Sequence, residues 1–73
     1  MPQAPATTTI QVNGAARPWR EGLTVAGLLA ELRAAAAGVA VERNGAVIRR
    51  ADWERTVLAP GDVVEIVALV GGG

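Results

Sequence analysis

Two Asn-Gly dipeptides, Asn13-Gly14 and Asn44-Gly45, constrain this chain more than any other feature. Both central residues of a two-residue type I′ turn need positive φ, which Asn and Gly adopt most readily. Each dipeptide therefore predicts a β-hairpin, provided extended runs flank it. They do. "TTTIQV" (7–12) is β-branched and alternates, with Thr8, Ile10 and Val12 on one face, and "AARPW" (15–19) returns as its partner. Pro18 has no N–H to give a central ladder and marks that partner as an edge. "VAVER" (39–43) and "AVIRR" (46–50) flank the second turn in the same way.

Between the hairpins the period changes. In "LTVAGLLAELRAAAAG", Thr24 reads as an N-cap, and Val25, Leu28, Leu29, Leu32 and Ala36 fall on one helical face. The alanine run favours helix by propensity, and Gly38 suits the left-handed residue that closes it. Gly27 stands where a capping box would place its acid. Beyond the second hairpin, "ADWERTVLA" (51–59) reads as one turn plus extended chain, and Pro60-Gly61 fits the centre of a type II turn. "DVVEIVALV" (62–70) is the last and most apolar strand.

The order is ββαββ, a turn, then β. That is an α+β plan with a mixed five-stranded sheet and one main helix on one face, the plan of a β-grasp (ubiquitin-like) domain. The first and last strands would then be parallel neighbours at the sheet's centre, which accounts for the nearly continuous apolar run over 63–70. The expected organisation is a flexible extension over 1–6, a domain over 7–70 and a flexible glycine tail over 71–73.

The chain is short enough, at 73 residues, to hold one core only. It has no Cys and no His, so neither a disulfide nor an ordinary zinc site can staple it. The same absences remove thiol nucleophiles, imidazole bases and His-dependent triads. Lys is missing too, which excludes Schiff-base chemistry on a side chain. No catalytic residue and no metal site are expected. Seven Arg balance seven acids and are dispersed, and the aromatics are Trp19 and Trp53 alone, so a nucleic-acid surface is not expected. No run approaches the roughly 20 apolar residues that cross a bilayer, and the start is unlike a signal peptide, so the expected compartment is the cytoplasm.

Period 2 divides the last strand. Val64, Ile66 and Ala68 should face the helix, and Val63, Glu65, Val67 and Leu69 the open side. Scattered exposed aliphatics are ordinary. Beside the tail, Val67 and Leu69 instead suggest a docking patch for a partner that also grips the glycines. Gly71, Gly72 and Gly73 cannot pack or cap, and glycine loses the most backbone entropy on ordering. A frayed end is the plain alternative. As chemistry, residues without side chains thread a narrow channel and deliver the Gly73 carboxylate unhindered to an ATP site on another protein.

With these residues in place, the chain resembles the ThiS family, the sulfur carriers of thiamine (thiazole) biosynthesis. The resemblance covers residues 8–73 and rests on Val39-Ala40-Val41, Asn44-Gly45, Arg50, Trp53 with Thr56, Gly61-Asp62, Val64-Glu65-Ile66-Val67 and the closing Gly72-Gly73. "TVAGLLAEL" is similar to the family helix. Departures fall at Gly27, Arg43, Ala46 and Arg49, and the amino-terminal extension is longer than the family needs. The resemblance implies that a ThiF-type enzyme adenylates the Gly73 carboxylate with ATP. A sulfurtransferase or cysteine desulfurase supplies sulfur for a thiocarboxylate, and thiazole synthase (ThiG) takes it. No cofactor would be bound by the chain itself. Trp53 is read as structural, and Trp19 as packing on the edge strand. Alternatives are a MoaD-like small subunit of molybdopterin synthase, a ubiquitin-like protein modifier, or a binding module whose glycines do nothing.

Overall fold

Among the residues that the computed structural model describes, 8–34 and 38–69, the chain forms five strands and one α-helix. They are β1 (Thr9–Val12), β2 (Ala15–Pro18), α1 (Val25–Glu31), β3 (Val39–Arg43), β4 (Ala46–Ile48) and β5 (Val63–Ala68), with a 3₁₀ turn at Arg50–Asp52. The sheet order is β2-β1-β5-β3-β4. β5 lies at the centre, parallel to β1 with Val12 opposite Val64, and antiparallel to β3 with Val41 opposite Ile66. This is the β-grasp plan read from the pattern.

Both hairpins turn as their dipeptides dictate. Asn13 and Gly14 have φ of 51° and 85°, Asn44 and Gly45 of 51° and 87°, the signature of type I′ turns. At Pro60-Gly61 the Asp62 N–H donates to the Ala59 carbonyl at 3.1 Å and closes the expected tight turn. Pro18 lies on β2, an outer edge of the sheet.

The core forms where α1 covers one sheet face. Ile10, Leu23, Val25, Leu28, Val41, Leu58 and Val64 are fully buried, with Val12, Leu29 and Trp53 nearly so. At roughly 1.5–3 kcal/mol for each large aliphatic removed from water, these few side chains provide most of the driving force in a chain without staples. Both indoles are satisfied. Trp53 Nε1 donates to the Ile48 carbonyl at 3.0 Å and Trp19 Nε1 to the Leu58 carbonyl at 2.8 Å, so each ring ties the 49–62 segment to a neighbouring element.

That segment also caps the helix. An α-helix leaves its first N–H groups without partners of its own. Here Val25 N–H donates to the Thr56 carbonyl, Ala26 N–H to the Trp53 carbonyl, and Gly27 N–H to Thr24 Oγ1, each at 3.0 Å. Trp53 and Thr56, three apart, present these main-chain acceptors to the helix, while their side chains are held locally, the Trp53 ring buried and Thr56 Oγ1 donating to the Asp52 carbonyl at 2.7 Å.

Several boundaries differ from the sequence reading. The helix does not run to Gly38. It closes at Leu32, and Arg33 takes the left-handed conformation with φ of 57°. Ala34 N–H then donates to the Leu29 carbonyl and Arg33 N–H to the Ala30 carbonyl, the paired bonds of a Schellman motif. Helix propensity favoured the alanines, but this closure spends the left-handed position five residues early, on an Arg. Ala36 lies outside the described residues. β4 stops at Ile48 because the chain enters the 3₁₀ turn at Arg50. β5 spans Val63–Ala68 rather than 62–70, since Asp62 belongs to the preceding turn and residue 70 lies outside the described residues. The 1–6 extension lies outside them as well.

Arg33 is exposed and makes no ion pair among the described residues, while its Cβ makes the left-handed backbone unfavourable. Arg33→Gly is expected to stabilise the fold by about 0.5–1 kcal/mol, raising the melting temperature by a few degrees. Thermal unfolding followed by circular dichroism checks it, and a lowered midpoint would contradict this account of the helix end.

Candidate functional site

The candidate site is the carboxyl end of β5 and the open face it shares with its neighbours. Val64 is buried and Ile66 half-buried, so they face the core as expected. Val67 is 51% exposed, Leu69 57% and Val63 39%, and Glu65 is exposed between them. Both expected docking residues therefore lie on the open side. Ala68, expected against the helix, is exposed instead. It pairs with Val39 at the far end of the β3–β5 ladder, past Ile66, the last β5 side chain packed on the core.

Register brings in residues that sequence reading did not single out. Ala40 lies opposite Val67, Glu42 opposite Glu65, and Val47 of β4 opposite Glu42. Val47 is 66% exposed, so the face carries aliphatics around two adjacent carboxylates. Alternation in "AVIRR", with Ile48 turned inward, was the available signal for Val47. Like charges directly across a ladder are unfavourable. Among the described residues neither Glu42 nor Glu65 joins an ion pair. Gly71, Gly72 and Gly73 lie outside the described residues.

The start of β5 is fixed by a buried acid. Asp62 accepts from Arg43 Nε at 2.8 Å, Asn44 Nδ2 at 3.0 Å and the Ala59 N–H at 2.8 Å. Burial alone would raise its carboxyl pKa. The hydrogen bonds from Ala59, Asn44 and Arg43, with the Arg43 charge, outweigh burial and hold it below its ordinary value of 3.8. Arg43, one of the departures noted above, is thereby explained as the partner of Asp62. This acid is committed to structure, with every oxygen in use.

A second surface feature lies on the helix side of the sheet. It is an open groove floored by Leu29 and Trp53 and edged by Ala26, Ala30, Ala34 and Arg50. The Arg50 guanidinium stands 6.0 Å from the Trp53 ring centre, within cation–π range. Among the described residues there is no cluster of three or more His, Cys, Asp or Glu side chains able to hold a metal, and no helix long and apolar enough to cross a membrane.

A mixed sheet with a central carboxyl-terminal strand, one covering helix and an aliphatic open face defines a ubiquitin-like β-grasp protein. Comparison with known proteins narrows the class. Residues 10–73 match the ThiS family. The crystal structure of the thiamine biosynthesis protein ThiS from Geobacter metallireducens is similar to this chain with a TM-score of 0.76 and 38% identity, covering 89% of this chain and 99% of that one. This chain belongs to the ThiS family. Two thiazole synthases are also similar, from Paramagnetospirillum magneticum (39% identical over 62 residues) and Magnetococcus marinus (42% over 64 residues). The matches take in 85% and 88% of this chain but 19% and 20% of those proteins, so it spans about a fifth of their length.

The Asp62 cluster sets a pH dependence. Because its pKa is lower folded than unfolded, the stability it contributes is present above the unfolded value and is lost as pH falls through the folded one. Denaturant midpoints are expected to hold near neutrality and fall in acid below about pH 4. Asp62→Asn should cost about 1–3 kcal/mol at pH 7 and flatten that acid limb, because an amide cannot accept from all three donors. An unchanged acid limb in the variant would contradict the role given to Asp62.

Proposed function

We propose that this chain is a sulfur carrier whose Gly73 carboxylate is the working group and whose chemistry is performed by partner enzymes. The observation that carries the reading is the family match, which runs through residue 73 and so includes the glycine end. A carboxylate oxygen attacks the α-phosphorus of ATP, pyrophosphate leaves, and an acyl adenylate forms. The outer sulfur of a donor persulfide then adds at the carbonyl carbon and AMP leaves, giving an acyl disulfide. A partner thiol cleaves this to the thiocarboxylate, and the donor side is left as a disulfide. A ThiF-type enzyme performs the adenylation, and a sulfurtransferase or cysteine desulfurase supplies the sulfur. ATP is used by the partner and is not held by this chain, which acts as co-substrate and not as enzyme.

The acceptor proposed is a thiazole synthase of the ThiG type, and the product the thiazole ring of thiamine. The two similar thiazole synthases, and the similar ThiS named for thiamine biosynthesis, support that choice. Val67 and Leu69 form the docking patch, with Glu42 and Glu65 offering it two carboxylates. Extended chain spans at most about 3.3–3.6 Å per residue, so from Leu69 to Gly73 it covers no more than about 14 Å. That is enough to enter a neighbouring active site while the sheet face stays bound. The compartment proposed is the cytoplasm, where ATP is available.

The reacting atom is the carbonyl carbon of Gly73. Appending one residue after it is expected to abolish sulfur acceptance in the presence of ATP, activating enzyme and sulfur donor, with the thermal midpoint unchanged. Sulfur acceptance by the extended chain would overturn the reading. Val67→Asp tests the docking face. Because Val67 is half-exposed and off the core, stability is expected to change by no more than about 1 kcal/mol, while affinity for the activating enzyme falls at least tenfold. Marked unfolding with unchanged affinity per folded molecule would contradict the assignment.

A further inference from the structure

The two sides of β5 are not covered equally. Alternate residues of a strand direct their N–H and C=O groups to opposite neighbours. Towards β3 the bonding continues to the end, from the Asn44 N–H to the Val63 carbonyl at one limit to the Leu69 N–H on the Gly38 carbonyl at the other. Towards β1 it stops sooner. β1 pairs with β5 only through Gln11↔Val63 and Val12↔Val64, and the chain then turns away at Asn13-Gly14. Asn13 prolongs the ladder by one step. Its N–H donates to the Val64 carbonyl, its Oδ1 accepts from Ile66 N–H at 2.7 Å, and its Nδ2 donates to the Ile66 carbonyl at 3.2 Å.

Ala68 is next in that series. Among the described residues nothing pairs with its N–H or C=O on the β1 side, and the residue is exposed. Among the described residues the centre of the sheet thus ends in a half-open edge, paired with β3 on one side and unpaired on the other. The outer edges are blunted in the usual ways, β2 by Pro18 and β4 by a length of three residues. Among the described residues nothing protects this inner edge, and it lies one residue from Val67 and Leu69 on either hand.

We infer that the vacant side of β5 at Ala68 is a docking edge for an extended backbone segment of the activating enzyme, which adds a strand beyond Asn13 and guides the tail. The inference rests on the carrier reading above and names how the same end of the molecule is gripped. The donor and acceptor left unpaired at Ala68, in line with the groups that Asn13 takes at Ile66, match a peptide strand laid alongside. Side chains of the added strand would stand beside Val67 and Leu69, so edge and patch form one continuous surface. Pairing there would hold β5 extended through Ala68, ahead of the glycines.

The test uses the full chain made by total synthesis with the Val67–Ala68 amide replaced by an ester. This removes the Ala68 N–H and leaves every side chain in place. Binding to a ThiF-type enzyme is expected to weaken about three- to tenfold, the range for one hydrogen bond, with the thermal midpoint lowered by only a few degrees, since the ester also weakens the Val67 carbonyl that faces β3. In the unsubstituted chain, amide exchange at Ala68 is expected to be fast when free and slowed by adding the enzyme. Equal affinity for the two chains, or Ala68 exchange unaffected by an enzyme that binds and loads sulfur, would overturn the docking edge alone. Failure of the unsubstituted chain to bind the enzyme or accept sulfur would overturn the carrier reading, and this inference with it.

Discussion

The side-chain amides of Asn13 and Asn44 hold the centre of this fold. A primary amide offers the same donor and acceptor as a peptide group, so each Asn continues a ladder where its own backbone has turned away. Asn13 takes both main-chain groups of Ile66, while Asn44 Oδ1 accepts from Val63 N–H and its Nδ2 reaches Asp62. The residues that turn the two hairpins therefore also fix the register of β5, more than fifty positions from Asn13 in one case. Closing so long a loop is entropically unfavourable, and the chain has no covalent cross-link to offset it. Hydrogen bonds made by obligatory turn residues are the economical solution.

Asp62 completes the arrangement. It gathers Arg43, Asn44 and the Ala59 amide at the point where the final turn becomes β5, so the second hairpin and the last strand are locked at one place. With both sides of β5 set, the strand's inner side chains meet α1 and its outer ones meet solvent. The helix in turn depends on the 49–62 segment for its first amide partners. Hairpins, helix and central strand are thus mutually supporting despite the small core.

Much of this was legible in the sequence because it rests on short-range rules. The Asn-Gly turns, the alternation in β1 and β5, the edge proline and the Thr24 cap each follow from local chemistry, and together they lead to the β-grasp order. What escaped was either non-local or contrary to propensity. Asp62 reads as a turn residue, and its partners stand 18 and 19 positions away. The helix end was missed because a left-handed Arg33 is unfavourable on its own and is stabilised only by the Schellman bonds around it. Ala68 has the right parity for the core, but parity cannot say where along a strand the core stops. Of the candidate site, Val67 and Leu69 were legible from that same parity, whereas Val47 and Glu42 entered only through cross-strand register.

Under the proposed carrier function, the described residues supply a scaffold and a docking face, their buried acid is committed to structure, and reactivity lies with the glycine end. Intact mass spectrometry of the protein after incubation with ATP, a ThiF-type enzyme and a sulfur donor tests that division most directly. A gain corresponding to one sulfur in place of one oxygen, localised by fragmentation to Gly73 and reversed on adding a thiazole synthase with its substrates, is the predicted result. An unchanged mass, with the enzyme proven active on another carrier, would contradict the account.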